Sequence, residues 1–254
     1  RQEDGWFANF MNYERVFIDK EDSEDTLGRC LWGLGTTVRL CQSDEQDLLA
    51  KKVFKESLPL VDQLTYTRSL AYAALGLSSY LRSYPEAHQV REKLASVAAK
   101  LFSFFQKHAS PEWPWFEPFL TYDNPRLPQA LLLSYHHLSR EEYLATALQT
   151  LDFLTATLYR KGYFDLIGNQ GWFFRGGEKT IFSQQPLDAA ALVETYLLAF
   201  ILCGKEKYLE LCFAAFQWFL GRNRLGKSLY FPECGACADG LDNHGVSKNR
   251  GAEA

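Results

Sequence analysis

The chain has 254 residues, a formal net charge of −4 and a pI near 5.8. It has no overall basic character with which to neutralise a phosphate backbone, so we expect no nucleic-acid partner. No apolar run reaches the roughly 18 to 20 residues that a membrane-spanning helix needs, and residues 1–4 lack the apolar core of a signal peptide. These features predict a cytoplasmic protein without a membrane partner.

Apolar residues recur at i, i+3, i+4 and i+7 along most of the chain, which is the spacing of an amphipathic helix. Segments rich in Pro and Gly separate these stretches. The predicted helices lie at residues 25–40, 46–58, 67–81, 86–108, 126–138, 140–159, 186–202 and 206–220, and a ninth begins at Gly251.

The helices that begin near residues 67, 126, 187 and 251 recur at intervals of about 60 residues, close to one helical hairpin with its loop. A hairpin cannot bury its apolar face alone, so successive hairpins are expected to stack. The pattern therefore predicts one all-α domain over residues 1–254, an (α/α) toroid of stacked helical hairpins.

Three long loops stand out from the short turns between the other helices. They cover residues 110–125, 162–185 and 221–250 and are rich in Trp, Tyr, Phe, Asp, Glu and Asn. Loops of this length in a compact domain are usually functional or disordered, and their aromatic content argues against disorder. We expect them to line one rim of the ring.

The first loop has the mixture of residues that sugar sites use. Aromatic rings pack on the C–H faces of a pyranose, while carboxylates, amides and guanidinium groups bind its hydroxyls. Asp123 is a candidate catalytic acid. The candidates for sugar contact are Trp113, Trp115, Glu117, Tyr122, Asn124 and Arg126. The alternative is that the tryptophans plug the end of the ring and that Asp123 only caps a helix.

The second loop adds Asn169 and Trp172 as candidate sugar contacts. Pro186 stands at the first turn of the next helix, which would direct Gln184 and Gln185 into the rim. Gln185 is therefore a further candidate for binding.

The third loop supplies Glu233 as a candidate catalytic acid and Asp242 as a candidate for binding, and its glycines allow close approach to a ligand. Cys234 and Cys237 form a single C-x-x-C with no second pair, so we expect no metal site. We also expect all six cysteines to be free thiols.

A run of acids opens the first helix. Ser23 is its expected N-cap, and Arg29 lies one turn after Asp25, where it could hold that carboxylate ionised. Asp25 is therefore a third candidate catalytic acid. The alternative is a solvated, capped helix start.

Several motifs of these loops together resemble the helical domain of bacterial proteins known as glycosyltransferases or mannosyltransferases. The motifs are residues 23–29, 115–117, 120–130, 167–172, 184–186, 218–223 and 249–253. The resemblance implies a six-hairpin glycosidase-like (α/α) toroid and a linked glycosyltransferase domain as a partner. The chain departs from the pattern at Ser183, where an acid is expected. It also stops where a helix should continue, so we expect the ring to be incomplete at its C-terminus and the chain to be a fragment.

These observations predict a domain that acts on a mannose- or glucose-containing oligosaccharide, without a cofactor, through Asp123 paired with Asp25 or Glu233. Two alternatives stay open. One is a non-catalytic sugar-binding or scaffolding domain of a glycosyltransferase. The other is a sugar epimerase or isomerase, which would need a pair of histidines in the cleft. The sequence makes no prediction of an oligomeric state.

Overall fold

A computed structural model of the chain describes residues 4–18 and 23–252. The helices of this part are α1 (Glu24–Leu40), α2 (Asp44–Ser57), α3 (Thr67–Ser83), α4 (His88–His108), α5 (Arg126–Leu138), α6 (Glu141–Leu158), α7 (Pro186–Cys203) and α8 (Glu206–Phe219), with a 3-10 turn at Leu58–Gln63. The eight predicted helices are confirmed, and their ends differ from the prediction by two residues or fewer. The predicted ninth helix is not seen at its start, because Gly251 instead forms a β-bridge with Cys237. Residues 253 and 254 lie outside the described residues.

Short antiparallel strand pairs occupy the long loops. They are β1 (Phe119–Leu120) with β4 (Phe173–Phe174), β2 (Tyr159–Arg160) with β3 (Tyr163–Phe164), β5 (Tyr230–Phe231) with β6 (Ala236–Cys237), and β7 (Leu241–Asp242) with β8 (Gly245–Val246). The loops are therefore ordered by backbone pairing, which periodicity alone does not predict.

The described residues group into two compact units. Unit 1 comprises those within Arg1–Phe104 and Ala130–Leu144, and unit 2 those within Phe105–Gln129 and Ala145–Ala254. A single domain over residues 1–254 stays a prediction.

Unit 1 is built on the close packing of α1 against α3. The Ser23 hydroxyl accepts a hydrogen bond from the Thr26 amide at 3.2 Å, so the predicted N-cap of α1 is confirmed. Gly35 of α1 and Gly76 of α3 lie where the two backbones touch, and a Cβ atom at either position would overlap the other helix. Helix α3 is buried along nearly its whole length, as expected for an inner helix of a hairpin stack.

Unit 2 combines the three long loops with most of α6 and with the hairpin of α7 and α8. Helix α7 begins with Pro186 at its first turn, as predicted, and ends at Gly204, whose φ of 67° terminates the helix. It is the one helix of the described residues that is long and apolar enough to cross a membrane, which the sequence analysis did not anticipate. Its buried side includes Asp188 and packs against α8. Core helices also meet this length and composition criterion.

Candidate functional site

The three long loops meet inside unit 2. Strands β1 and β4 join the first loop to the second, and the Arg175 amide donates to the Pro118 carbonyl at 2.9 Å. The second loop joins the third through Gln184 and Leu241, whose backbones exchange two hydrogen bonds of 2.9 and 3.0 Å. The three loops are therefore linked to one another within this unit, and the expectation that they line one rim of the ring stays a prediction.

Two carboxylates converge on one guanidinium group at the start of α5. The Arg126 Nε atom lies 3.3 Å from Oδ1 of Asp123, and its Nη1 atom forms an ion pair with Glu194 of α7. The side-chain amide of Gln129 joins Arg126 to Glu194, since it accepts a hydrogen bond from Arg126 at 2.7 Å and donates one to Glu194 at 3.2 Å. Asp123 is 2% exposed, whereas the side chain of Glu194 is 50% exposed. Glu194 therefore presents this charge cluster to solvent.

An aromatic pair adjoins this cluster along the chain. The rings of Tyr122 and Trp172 lie 6.1 Å apart at an angle of 45°, and both side chains are half-buried. Trp172 has a φ of 60° and Asp123 a φ of 50°, a conformation that costs free energy for residues other than Gly. Thr180 holds the Trp172 carbonyl through its amide at 3.1 Å and its hydroxyl at 2.8 Å. Trp172, and Asp123 next to Tyr122, are thus two of the five residues other than Gly with positive φ among those described.

The structure does not support a sugar-stacking role for Trp113 and Trp115. Trp115 has no exposed surface, and its ring packs edge-on against Phe116. Trp113 is also buried, between Phe153 and Phe173, and its indole N–H donates to the Glu117 carbonyl at 2.7 Å. Rings without an exposed face cannot pack on a pyranose, so the structure favours the alternative that they fill the interior. The Glu117 side chain is half-buried.

Asn124 and Arg126 also differ from the prediction that they read sugar hydroxyls. Asn124 is buried, and its side-chain amide accepts from the Thr121 N–H at 3.0 Å and donates to the Thr121 carbonyl at 2.7 Å. It closes the turn that precedes Asp123. Arg126 is buried and engaged with Asp123 and Glu194. Both residues hold the site rather than contact solvent.

The predicted residues of the third loop, Glu233 and Asp242, contact residues other than the aromatic pair. Glu233 is exposed in the turn between β5 and β6, and its carboxylate lies 3.4 Å from Arg250. Asp242 is half-buried and accepts a hydrogen bond from the Ser183 hydroxyl. Ser183, where an acid was expected, is thus a hydrogen-bond donor to an acid.

The remaining predicted residues of the second loop are accessible. Asn169 is exposed, and its amide donates to the Ser183 carbonyl at 2.9 Å. Gln185 is half-buried at the N-cap of α7, and its side chain makes no capping hydrogen bond. Both side chains are thus accessible, and their binding roles stay predictions.

Gln184 does not point into a rim as predicted. It is fully buried, and its side chain donates to Asp165 at 2.8 Å and accepts from Trp218 at 3.3 Å. Its backbone pairing with Leu241 turns the side chain inward.

Asp165 is the centre of an ion cluster that sequence reasoning missed. Arg224 binds it through Nε at 2.8 Å and Nη2 at 2.6 Å, and Lys179 lies 3.2 Å away. Burial alone would raise the pKa of this carboxyl, but the hydrogen bonds from Arg224, Lys179 and Gln184 outweigh it and hold the pKa below its usual value. The sequence signal that could have identified Asp165 is an acid within an apolar stretch, and Glu194 in α7 has the same signal.

Asp25 belongs to unit 1 and forms its predicted pair with Arg29, with Nε 2.8 Å from Oδ2. Arg29 also donates to the Tyr72 hydroxyl at 3.2 Å, and its guanidinium lies 4.7 Å from the Tyr72 ring centre. Trp32 stacks on Tyr72 at 5.9 Å. Glu24 is occupied otherwise, since it accepts from two backbone amides of the segment before α3.

A cleft of about 610 Å³ opens between α7 and α8 in unit 2. Val193 and Glu194 line it from α7, and Phe216, Phe219 and Leu220 line it from α8. Tyr230 and Cys237 of the third loop also line it. A ligand there would meet a mainly hydrophobic wall whose side chains include one carboxylate, one phenol and one thiol.

The cysteines and the metal-ligand residues form no cluster in the part of the chain that the structure describes. All six cysteines are free. Across residues 4–18 and 23–252, no three side chains of the types His, Cys, Asp and Glu come together as they would around a metal ion.

Solved structures show which fold these elements form. Cellobiose 2-epimerase from Bacillus thermoamylovorans superposes with a TM-score of 0.71 and 11% identity, over 98% of this chain and 72% of that chain. The chain has the six-hairpin glycosidase-like (α/α)-toroid fold. The fold prediction is thereby confirmed.

Two further solved structures agree. D-mannose isomerase has a TM-score of 0.68 and 11% identity over 94% of this chain and 68% of its own. An unsaturated glucuronyl hydrolase specific for heparin has a TM-score of 0.60 and 15% identity over 85% of this chain and 61% of its own. No protein-family model and no curated protein matches the sequence. The likenesses establish the fold and give no support to the glycosyltransferase part of the resemblance.

Proposed function

We propose that the chain is the sugar-processing part of a carbohydrate-active enzyme and that it binds an oligosaccharide on the loops of unit 2. The observation that carries this proposal is the convergence of Asp123 and Glu194 on Arg126, next to the half-buried pair of Tyr122 and Trp172. Aromatic rings beside carboxylates are what a pyranose site needs. The solved structures of the same fold include an epimerase, an isomerase and a hydrolase of sugars, which supports the substrate class.

The two carboxylates take different roles in this proposal. Both form ion pairs with the guanidinium group of Arg126. Glu194 is half-exposed and reaches the cleft, so it is the carboxylate that contacts the substrate, as a base or nucleophile. Asp123 is buried and acts through Arg126, which makes it a positioning residue. Glu233, also in unit 2, stays a candidate for the second, proton-donating acid, and the catalytic role of Asp25 in unit 1 stays a prediction.

Trp172 and Tyr122 supply the stacking surface in place of Trp113 and Trp115. Asn169, Gln185 and Asp242 are the polar residues of the neighbouring loop segments, and their accessible side chains suit hydroxyl recognition.

An isomerase or epimerase is the second candidate, and the superpositions on cellobiose 2-epimerase and D-mannose isomerase favour it. This chemistry abstracts a proton next to a carbonyl group, which a carboxylate such as Glu194 can do. A histidine pair exists in unit 1, where the rings of His136 and His137 are 4.9 Å apart at the end of α5. His137 is held by Ser78 at 2.9 Å, and we assign this pair a structural role.

The test measures thermal stabilisation by manno- and gluco-oligosaccharides and analyses their products, with and without phosphate. We expect wild-type protein to bind and convert an oligosaccharide, Trp172→Ala to lose binding, and Glu194→Gln to bind without turnover. Phe174→Ala is the matched control, because Phe174 is an exposed ring of the same loop. Undiminished turnover by Glu194→Gln would contradict the catalytic assignment. Binding without any product from wild-type protein would instead identify a non-catalytic sugar-binding domain.

Two finer parts of the proposal rest on the motif resemblance alone. They are the mannose or glucose content of the oligosaccharide and a linked glycosyltransferase domain. A cytoplasmic location is a third finer part, and it rests on the sequence features given above. A pull-down with the full-length protein of the source organism, followed by mass spectrometry of the longer polypeptide, tests the linked domain.

A further inference from the structure

Unit 2 carries a cluster of cations with a single acid among them. Arg160 and Lys161 lie on the hairpin of β2 and β3, Lys179 lies in the second loop, and Arg222 and Arg224 lie in the third. We call these five side chains the basic cluster. They come from three segments that are far apart in sequence, so the fold has brought like charges together.

Contacts within the cluster show that these segments are close. Lys179 and Arg224 both bind Asp165, and Arg160 lies at the end of β2, beside the hairpin turn. Arg222 lies against the hairpin turn, since its Nη2 atom would be 3.3 Å from a Cβ atom at Gly162. The hairpin, Lys179 and the third loop therefore form one surface.

The positive charge of the cluster exceeds its negative charge. Asp165 is the one carboxylate bound by these cations among the described residues. Within the described part of the chain, the Arg222 side chain donates to the neutral amide of Gln217 at 2.7 Å and to no carboxylate. Arg160 and Lys161 form no ion pair within residues 4–18 and 23–252, and Glu178, the acid next to Lys179, is exposed and pairs with none of them. The five cations thus have one bound carboxylate among them.

The dipole of a nearby helix balances only a small part of this surplus of positive charge. The hairpin directly follows the C-terminus of α6, and a helix C-terminus attracts cations with a charge equivalent to about −0.5. That half charge leaves more than three positive charges unbalanced. Because repulsion between unpaired cations opposes folding, such a surplus is best explained by an anion that binds there.

We propose that the basic cluster binds the anionic group of a sugar, either the carboxylate of a uronate or a phosphate. Arg224 keeps Nη1 available after binding Asp165 through its other two nitrogens, and Arg160 and Arg222 are exposed. Guanidinium groups bind carboxylate and phosphate oxygens through paired hydrogen bonds. Tyr163, half-buried at the start of β3 in the same hairpin, offers a ring to the attached sugar. The sugar part of this inference rests on the proposed function, whereas the anion part does not.

The experiment titrates the chain with inorganic phosphate, glucuronate, glucose 6-phosphate and glucose, in a buffer of low ionic strength without phosphate. Calorimetry gives the Kd values for wild-type protein, Arg160→Gln, Arg222→Gln and the control Lys205→Gln. Lys205 is an exposed cation in the short turn between α7 and α8, so the control removes the same charge elsewhere in unit 2. We expect each arginine variant to weaken binding of phosphate and of one acidic sugar about tenfold or more, because each loses a charged hydrogen bond. The control should bind like wild-type protein.

The outcomes separate this inference from the proposed function. Tighter binding of glucuronate or of glucose 6-phosphate identifies which anion the cluster takes. Failure of all three anions to bind, or equal weakening by Lys205→Gln, overturns the anion site even where neutral oligosaccharides bind. Binding of inorganic phosphate without binding of any sugar retains the anion site and contradicts the sugar-processing function.

Discussion

Arg224 binds Asp165 through two parallel hydrogen bonds, from Nε to Oδ1 at 2.8 Å and from Nη2 to Oδ2 at 2.6 Å. Asp165 lies in the second loop and Arg224 in the third, so this pair ties the two loops together. Asp165→Asn would leave Arg224 and the mostly buried Lys179 facing a neutral amide. Breaking a buried ion pair from one side costs about 3 to 5 kcal/mol, and the partial exposure of Arg224 reduces this to about 2 to 3 kcal/mol.

Urea unfolding of Asp165→Asn and of wild-type protein measures this loss. Glu178→Gln removes an exposed acid of the same loop and should change the free energy of unfolding by less than about 0.5 kcal/mol. Equal stability of the two variants would show that the ion cluster does not hold the loops.

The same carboxylate predicts a dependence of stability on pH. Although burial raises the pKa of Asp165, the bonds from Arg224, Lys179 and Gln184 hold it below the ordinary 3.8. A carboxyl with a lowered folded pKa stabilises the protein above its ordinary pKa, and this contribution is lost as the pH falls through the folded pKa. The stability difference between wild-type protein and Asp165→Asn should therefore be constant above about pH 5 and shrink below pH 4. A difference that stays constant down to pH 2 would refute the linkage.

His137 makes a second pH-dependent contribution, in unit 1. Burial, with the nearby charges of His136, Arg91 and Arg82, lowers the pKa of His137 to about 4. The unfolded chain then binds a proton at higher pH than the folded chain, so the free energy of unfolding falls as the pH drops from 6.5 towards 4. His137→Asn can keep a bond to Ser78 and should flatten this slope. His244→Asn, which changes an exposed histidine, should leave the slope unaltered in chemical denaturation at each pH.

Truncation of two tryptophans of unit 2 should affect different properties, stability at Trp115 and oligosaccharide binding at Trp172. Trp115 is fully buried, so Trp115→Ala should cost about 3 to 5 kcal/mol of stability. Trp172 is half-buried, and its ring contacts Tyr122. Trp172→Ala should cost about 1 kcal/mol or less yet abolish oligosaccharide binding. Thermal unfolding with and without oligosaccharide compares the two, and a wild-type response to oligosaccharide in Trp172→Ala would exclude the stacking role.

The helices could be predicted from the sequence because their signals are local. Apolar spacing, the Ser23 cap and the first-turn position of Pro186 each act within a few residues, and the structure confirms them. The partners of Asp123 could not be predicted in the same way. Its link to Glu194 runs through Arg126 and depends on the contact of the first turn of α5 with α7 within unit 2, which no periodicity reports.

Composition likewise identifies the residues of a site without saying which side chains face inward. The motif at residues 113–116 contains two Trp that, from the sequence, fit a sugar-stacking role and a place in the core equally well. Their burial favours the core. Gln184 turned inward because its backbone pairs with Leu241, a residue of another loop. Long-range pairing of this kind determined which candidates remained accessible.

The contact of α1 with α3 predicts that alanine at two different glycines changes the stability of the protein in opposite directions. Gly33 and Gly76 are both helical, so alanine at either should raise helix propensity by about 1 kcal/mol. At Gly33 a Cβ atom would meet nothing within 4 Å, and Gly33→Ala should therefore stabilise the protein by about 0.5 to 1 kcal/mol. At Gly76 the Cβ atom would overlap the backbone of Leu31 and Trp32, and neither helix can yield without separating from the other. Gly76→Ala should destabilise the protein by about 2 kcal/mol or more despite the better propensity. Urea midpoints of the two variants that shift in the same direction would show that these helices do not pack backbone to backbone.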